Sequence, residues 1–214
     1  TIGGTTPTFA TISDFVTSLN TNGISGPLTA NIRPGTYVEQ VEILNYTGSG
    51  GFTVTVQAET PGVFWQHSGS GYNIVLNGPQ NMVFQNMELE FTGTIGVAGG
   101  IVQSDNPSVS NITFENINLV KSGEGNQGMI AMTGANLISI LNCDFLTNDM
   151  SAAGTPNACN FFGCSNISLI SNTFNFLIRC GQILTFYNST NILVSKNNLN
   201  GSIDNSIPLV YQNG

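Results

Sequence analysis

Side chains able to carry acid-base or nucleophilic chemistry are few and scattered in this sequence. The 214 residues include 12 acidic side chains, four basic ones, one histidine and four cysteines. Glycosidases place two carboxyl groups roughly 5–10 Å apart. Glu88 and Asp144 come nearest to this. Both are the seventh residue of an eight-residue phrase that the sequence repeats, as described below, and Asn118 is the seventh residue of the copy between them. They would stand about 10 Å apart, or two strand spacings, and solvated polar residues in a turn are the simpler interpretation.

The histidine lies in an aromatic segment, VFWQHSGSGY, which its Gly and Ser content predicts to be a loop. A general base needs an orienting partner, and no acid stands near His67 in the sequence. Aromatic loops can stack on sugar rings, so Trp65, His67 and Tyr72 are candidate ligand contacts. The alternative is a loop that folds its aromatic side chains over the edge of the fold. The Gly-rich stretch 93–100 follows no strand-to-helix pattern and does not predict a phosphate site.

The cysteines are spaced for burial rather than for metal binding. Cys143 and Cys159 fall at inward positions of predicted strands and should behave as small apolar residues. Cys164 and Cys180 are predicted in turns, and would form a disulfide if their Cα atoms lie within about 7 Å. No CxxC is present, and with one histidine a zinc site is not expected. The sequence predicts no metal and no cofactor.

Charge and composition exclude several partner classes. The net charge is −8 and charged residues make up only 7% of the chain, which argues against nucleic acid and anionic membranes as partners. No apolar run approaches the roughly 20 residues of a membrane helix. The Lys-poor composition, rich in Asn and Thr, favours a secreted, extracellular location.

An eight-residue phrase recurs five times. Its copies begin 30, 26, 29 and 25 residues apart, and their first and third positions are always apolar, as in a strand with one buried face. The copies are MVFQNMEL from Met82, ITFENINL from Ile112, ISILNCDF from Ile138, ISLISNTF from Ile167 and ILVSKNNL from Ile192. The repeat predicts one buried column through Ile112, Ile138, Ile167 and Ile192. Asn172 and Asn197, both at position six, predict an inward asparagine ladder.

A second short strand precedes most copies, with apolar residues eight and six positions upstream, as at Ile130 and Met132. A period of 25–30 residues with two or three short strands predicts an all-β, right-handed parallel β-helix, in which each coil stacks on the last. A β-sandwich also has a strand every 8–12 residues. It does not explain why the same phrase returns once per 25–30 residues.

The chain opens differently. Ile12, Phe15, Val16 and Leu19 share one helical face, Thr11 can cap the helix, and Gly23 follows its end. We therefore expect a short amphipathic helix in residues 1–25 that covers the open end of a single β-helix domain. Residues 26–214 form the coils, of which the last is expected to be incomplete.

Two stretches carry a resemblance to known proteins: FATISDFVTSLNTNGISGPLTANIRPGTYVEQVEI and YNIVLNGPQNMVFQNMELE. They resemble the secreted right-handed β-helix proteins of gliding and predatory Bacteroidetes, which are often large multidomain surface proteins of the adhesin type. More distantly, the chain is similar to the opening of pectin methylesterases and pectate lyases. The close resemblance covers about the first ninety residues. It implies a secreted surface module.

The pectinolytic motifs that the distant resemblance implies are missing. Pectin methylesterases use two Gln-Asp dipeptides and an arginine, and no Gln-Asp occurs here. Arg33 and Arg179 are the only arginines, and Arg33 lies in an Arg-Pro-Gly turn that predicts a structural role. The sequence therefore favours a non-catalytic structural or adhesive module of a secreted bacterial cell-surface protein or appendage. The alternative is a carbohydrate-active enzyme or sugar-binding module of the pectate-lyase-like superfamily.

Outward apolar residues at equivalent positions of successive coils predict an assembly surface. The partners expected are other domains of the same protein or further copies, with cell-surface glycans as a further candidate. No nucleic acid and no membrane insertion are expected. The candidate surface residues are Phe162, Tyr187, Leu141, Ile170, Leu209 and Tyr211.

Overall fold

The chain winds into a parallel β-helix of seven coils, as the repeat predicts. A computed structural model describes residues 1–93, 99–122, 128–147, 158–176, 182–201 and 207–212. Each coil gives one strand to each of three seven-stranded sheets, here called sheets A, B and C. Every strand pairs in parallel with the equivalent strand of the next coil. Besides the strands, the described residues form one short helix, α1 (Ile12–Asn22).

The strand bounds follow this three-sheet pattern. Sheet A contains β1 (Leu28–Ile32), β4 (Val54–Ala58), β7 (Gln80–Gln85), β10 (Ser110–Glu115), β13 (Asn136–Leu141), β16 (Ser165–Ile170) and β19 (Thr190–Ser195). Sheet B contains β2 (Gly35–Val38), β5 (Val63–His67), β8 (Glu88–Phe91), β11 (Asn118–Lys121), β14 (Asp144–Thr147), β17 (Thr173–Phe176) and β20 (Asn198–Gly201). Sheet C contains β3 (Val41–Leu44), β6 (Gly71–Asn77), β9 (Gly99–Ser104), β12 (Ile130–Thr133), β15 (Cys159–Phe162), β18 (Gln182–Tyr187) and β21 (Ile207–Gln212).

The repeated phrase spans two strands, not one. Its first four residues end a sheet A strand, its last two begin a sheet B strand, and a two-residue turn such as Asn86–Met87 separates them. The first turn residue is left-handed in five successive coils, with φ between 53° and 62°. Asparagine tolerates this conformation better than most residues, which explains the asparagine in the middle of the phrase. The turn residues are Asn86, Asn116, Asn142, Ser171 and Lys196.

A second left-handed column lies one residue after the start of each sheet A strand from coil 3 onward. Asn81, Asn111, Leu137, Asn166 and Asn191 have φ between 53° and 56°. The amide of Asn111 donates to Asn81 Oδ1 at 2.7 Å, and the amide of Asn191 donates to Asn166 Oδ1 at 3.1 Å. Leu137 interrupts this column in coil 5.

Replacing Leu137 with asparagine should stabilise the protein. Its side chain is 49% exposed, so little buried area is lost, while the left-handed backbone costs a residue such as leucine about 1–2 kcal/mol. We expect Leu137→Asn to raise the free energy of unfolding by about 1 kcal/mol, measured by urea denaturation. Leu193→Asn is the matched control, because Leu193 is 50% exposed but lies in an ordinary strand conformation. Equal effects of the two changes would contradict this explanation.

The core is built from columns of equivalent residues. Ile112, Ile138, Ile167 and Ile192 pair in register, as predicted, and the first three are fully buried. Burial of such a side chain contributes about 1.5–3 kcal/mol. Ile192 is only half-buried, contrary to the prediction, because among the described strands β19 stands at the end of sheet A and pairs with β16 alone.

Aromatic rings and one amide ladder fill the rest of the core. Three pairs of buried phenylalanines stack between neighbouring coils, with ring centroids 4.6–5.4 Å apart: Phe84 with Phe114, Phe145 with Phe174, and Phe161 with Phe186. The predicted asparagine ladder is confirmed, since Asn172 Nδ2 donates to Asn197 Oδ1 at 3.0 Å. These contacts hold neighbouring coils in a single register.

The predicted helix covers the first coil. Ile12, Phe15, Val16 and Leu19 are all buried, and Thr11 and Asp14 form a reciprocal capping box. The carboxylate of Glu39, from coil 1, accepts hydrogen bonds from Ile12 N at 3.2 Å and Ser13 N at 2.7 Å. A carboxylate at a helix N-terminus satisfies otherwise unpaired amides, so Glu39 fixes the helix to the coils.

The last described strand, β21, pairs with β18 and brings Leu209 beside Leu184 and Tyr211 beside Phe186. The sequence assigned this segment to the first strand of a further coil. With coils counted from β1, it is the third strand of coil 7. Within the part of the chain that the structure describes, no helix is long and apolar enough to cross a membrane.

Candidate functional site

The segment around His67 is a strand rather than the predicted loop. Val63–His67 forms β5, and its Trp65 ring points into the core, is 1% exposed and donates from Nε1 to Glu39 O at 2.9 Å. Tyr72 is also buried, and burial raises its pKa to about 12. Because both side chains are buried, Trp65 and Tyr72 cannot contact a ligand at the surface. The predicted ligand contact is therefore wrong for these two residues. His67 stays half-exposed beside the Phe91 ring.

The acidic column predicted from the repeat is present on sheet B. Asn118 pairs with Glu88 on one side and with Asp144 on the other. Burial raises the pKa of Glu88 above its ordinary value, the Asn118 side-chain hydrogen bond opposes this, and the charge of Glu90 adds to it. Because Asn118 lies between them, the two carboxyl groups stand two coil spacings, or about 10 Å, apart. At this distance they cannot share one proton, and they lie at the upper end of the separation found in glycosidases.

The three described cysteines are all buried. Cys143 and Cys159 are buried as predicted, and burial raises the pKa of the Cys143 thiol to about 12. Cys164 lies in the turn between β15 and β16, as predicted, and its side chain is buried, with Sγ 3.3 Å from Met132 O. The predicted bridge from Cys164 to Cys180 stays a prediction, because Cys180 lies outside the described residues. Arg33 has the expected structural role, since its guanidinium donates to Gly3 O and Thr5 O and pairs with Glu59 at 3.4 Å.

The outer surface of sheet C, here called the sheet C face, carries two neighbouring hydrogen-bond networks. Asn77 Nδ2 donates to Glu42 Oε1 at 2.8 Å, and Asn106 Nδ2 donates to Asn77 Oδ1 at 2.8 Å. Beside it, Asp105 accepts from Gln103 Nε2 at 2.5 Å and from Thr133 Oγ1 at 3.2 Å. A cleft of about 430 Å³ opens over these groups. Its carboxylate oxygens have lone pairs left to accept hydrogen bonds from a ligand's hydroxyl groups.

The predicted aromatic pair continues the sheet C face. Phe162 pairs in register with Thr133 and Tyr187, and the rings of Phe162 and Tyr187 stack with centroids 4.3 Å apart. Phe162 is 51% exposed and Tyr187 is half-buried, so the predicted stacking is confirmed and the predicted exposure is confirmed for Phe162 alone. Large exposed aromatic side chains are enriched where proteins contact ligands or partners.

The remaining candidates for the assembly surface are placed less prominently. Leu141 and Ile170 are neighbours on sheet A, as predicted, and both are half-buried. Leu209 and Tyr211 lie in β21, where the structure describes the backbone only. Whether any of these residues contacts a partner stays a prediction.

A larger cleft, of about 530 Å³, lies where sheet A turns into sheet B. We call it the corner cleft. Its floor is the register column Phe64, Glu88 and Asn118, and one wall is the turn Glu59–Gly62. Among the described residues, no group of three or more His, Cys, Asp or Glu side chains is placed to hold a metal ion in either cleft or elsewhere.

Comparison with known proteins shows a likeness of fold. No protein-family model matches the chain, and no curated protein sequence matches it. A candidate glycosyl hydrolase from Parabacteroides merdae ATCC 43184 superposes with a TM-score of 0.60 at 11% identity, covering 94% of this chain and 88% of that one. The pectin methylesterase from Aspergillus niger, in two deglycosylated forms, gives TM-scores of 0.56 and 0.53 at 13% identity, covering 96% of this chain and 86% of that one.

This chain has the parallel β-helix fold of those proteins. The β-helix is therefore similar in architecture to carbohydrate-active proteins, as the distant resemblance implied. At 11–13% identity the likeness extends to the fold alone. The resemblance to Bacteroidetes surface proteins of the adhesin type stays a prediction.

Sequence reasoning missed both clefts. Glu42, Asn77 and Asp105 lie outside the five aligned phrases, so the repeat gave no reason to compare them. Spacing offered a weak signal, because Asn77 and Asn106 are 29 residues apart, about one period. The corner cleft depends on the length of the turn Glu59–Gly62, and this turn lies outside the five copies of the phrase.

Proposed function

We propose that this β-helix is a non-catalytic, glycan-binding adhesive module of a secreted cell-surface protein, and that an uncharged glycan chain lies along the sheet C face. The observation that carries the proposal is the hydrogen-bonded surface of Glu42, Asn77, Gln103 and Asp105, which leads along the sheet to Phe162. Amides, carboxylates and hydroxyls at strand spacing match the hydroxyl groups of successive sugar rings. The carbohydrate-active fold neighbours support this ligand class.

Charge favours an uncharged glycan over pectate. The protein carries a net charge of −8, and two carboxylates lie on the sheet C face itself. A polyanion approaching this surface would be repelled. The proposal also includes contact of Phe162 and Tyr187 with other domains or further copies, at the end of the face away from the carboxylates.

The way in which the two acids are held supports a purely binding role. Glycoside hydrolysis needs two carboxyl groups that flank one bond. Glu42 is tied to Asn77, and Asp105 is tied to Gln103 and Thr133, so each acid belongs to its own network. Glu42 lies in coil 1 and Asp105 follows the sheet C strand of coil 3, with Asn77 of coil 2 between them in the cleft.

Calorimetric titration with neutral hexasaccharides of glucose, xylose and mannose tests this function, with a trigalacturonate as the anionic control. We expect at least one neutral chain to bind and the trigalacturonate not to bind. Asn77→Ala and Asp105→Ala should each weaken binding at least tenfold, because each removes a partner on the face. Gln57→Ala, an outward amide on sheet A that bonds to Asn31 at 2.7 Å, should leave binding unchanged.

Two results would contradict the proposal. If no neutral chain binds, or if Asn77→Ala has no more effect than Gln57→Ala, the sheet C face is not the glycan site. Release of new reducing ends, lost in Glu42→Gln or Asp105→Asn, would show that the module is an enzyme instead.

A further inference from the structure

The corner cleft exists because one turn is longer than its equivalents. Between sheets A and B, coil 2 has the four-residue turn Glu59–Gly62, whereas each of the other six coils has two residues there. The extra residues of the turn overhang the next coil and form a wall. Asn86 and Asn116, joined by a side-chain hydrogen bond of 3.3 Å, line the cleft further along. This cleft is separate from the sheet C face and does not depend on it.

The floor of the cleft offers three different chemical groups at the spacing of successive coils. Phe64 is directly in register with Glu88, and Glu88 with Asn118. The Phe64 ring is 39% exposed although it lies in the middle of a strand. Parallel neighbouring strands are about 4.8 Å apart, so a single six-membered ring can contact the aromatic ring, the carboxylate and the amide together.

The charges around the cleft favour a cation. Glu88 lies on its floor and Glu59 on its wall. Among the described residues, Arg33 is the one basic side chain that pairs with either of these acids, and its partner is Glu59. Glu90 stands two residues beyond Glu88, bonded to Gln66 at 2.6 Å and to Ser122 at 2.5 Å. An exposed aromatic face beside carboxylates also attracts a cation through the ring quadrupole.

We propose that the corner cleft binds an amino sugar, whose ammonium group lies against Glu88 and whose ring lies against Phe64. The row of amides at Asn86, Asn116 and Asn118 then bonds to the ring hydroxyls. A lysine side chain would satisfy the carboxylate but would bring no hydroxyl groups to these amides. At about 530 Å³, the cleft lies in the 300–1,000 Å³ range of small-molecule sites and is far larger than an ammonium tail.

The test compares three probes by calorimetric titration at pH 6.5: a glucosamine tetramer, its fully N-acetylated form, and a trilysine peptide. Acetylation removes the positive charge and keeps the sugar rings. We expect the glucosamine tetramer to bind at least tenfold more tightly than either of the other probes. The affinity should fall as salt is added, because the contact is electrostatic.

Variants of the corner cleft separate the contribution of the Glu88 charge to binding from that of the Phe64 ring. Glu88→Gln keeps the shape and removes the charge, and Phe64→Ala removes a partly exposed ring. Each should weaken binding of the glucosamine tetramer at least tenfold while the protein stays folded at the temperature of the titration, as checked by circular dichroism. Asp14→Asn removes the same charge from α1, far from the cleft, and should leave the affinity within twofold of the unaltered protein.

Each contrary outcome overturns a defined part of the proposal. Equal affinity for the acetylated tetramer would show that charge does not select the ligand. Binding of trilysine as tight as the amino sugar would replace the sugar with a peptide. Full binding by both Glu88→Gln and Phe64→Ala would place the amino sugar elsewhere, whatever the sheet C face binds.

Discussion

Phe174→Ala should lower the free energy of unfolding by about 3–5 kcal/mol, which is usual for removing a buried phenylalanine side chain. Phe174 is fully buried and its ring stacks on Phe145 with centroids 4.6 Å apart. Strands on both sides hold the backbone in register, so the space left by the ring cannot close. Urea denaturation at equilibrium, followed by circular dichroism, measures the change.

Phe162→Ala is the matched control for this prediction. Phe162 also stacks on an aromatic ring one coil away, at 4.3 Å, but its side chain is 51% exposed. We expect Phe162→Ala to lower the free energy of unfolding by about 1 kcal/mol or less, since removal of a half-exposed ring leaves no enclosed cavity. Equal losses at the two positions would mean that stacking between coils, and not burial, supplies the stability.

Asn172→Leu should lower the free energy of unfolding about as much as Phe174→Ala does, because it removes buried hydrogen bonds rather than side-chain volume. The Asn172 side chain accepts from Cys143 N at 2.9 Å and donates to Ile140 O at 2.9 Å, and both contacts are buried. Leucine has a similar size and would leave the two backbone groups unpaired, at about 1–3 kcal/mol each. The expected loss is about 3–5 kcal/mol, measured by the same denaturation experiment.

Asn175→Leu provides the comparison on the outer side of β17, the strand that follows Asn172. Asn175 is half-buried and accepts a single hydrogen bond, from Asn200 Nδ2 at 3.2 Å. We expect a change within about 0.5 kcal/mol, as for most surface substitutions. The ladder would not be the stabilising element if Asn172→Leu cost no more than this control.

The sequence predicts the columns of this fold well, because stacking forces equivalent residues into one environment. The buried column through Ile112, Ile138 and Ile167 and the ladder of Asn172 and Asn197 both follow from position within the phrase. The division of the phrase into two strands was missed for a physical reason. Its turn has only two residues and turns through a left-handed asparagine, without the Gly or Pro that usually marks a turn.

Differences from the sequence prediction concentrate where the repeat is absent. Coils 1 and 2 lack the phrase, so the sequence predicts a loop at β5 and a surface position for Trp65. The inward side chain of Cys164, in a predicted turn between sheets C and A, does not follow from the repeat, because a side chain can point inward although the backbone turns. The candidate sites lie beyond periodic reasoning, because one depends on an overhanging turn and the other on contacts between coils.

The direction of the hydrogen bonds has a mechanical consequence. In all three sheets the bonds between coils run along the axis of the β-helix, so a pulling force applied along that axis meets the six junctions of the seven coils one after another. Each coil that detaches releases 25–30 residues, or roughly 80–110 Å of extended chain. A module held under tension would therefore lengthen in steps, with its remaining coils intact, and dissipate work at each step rather than break at once.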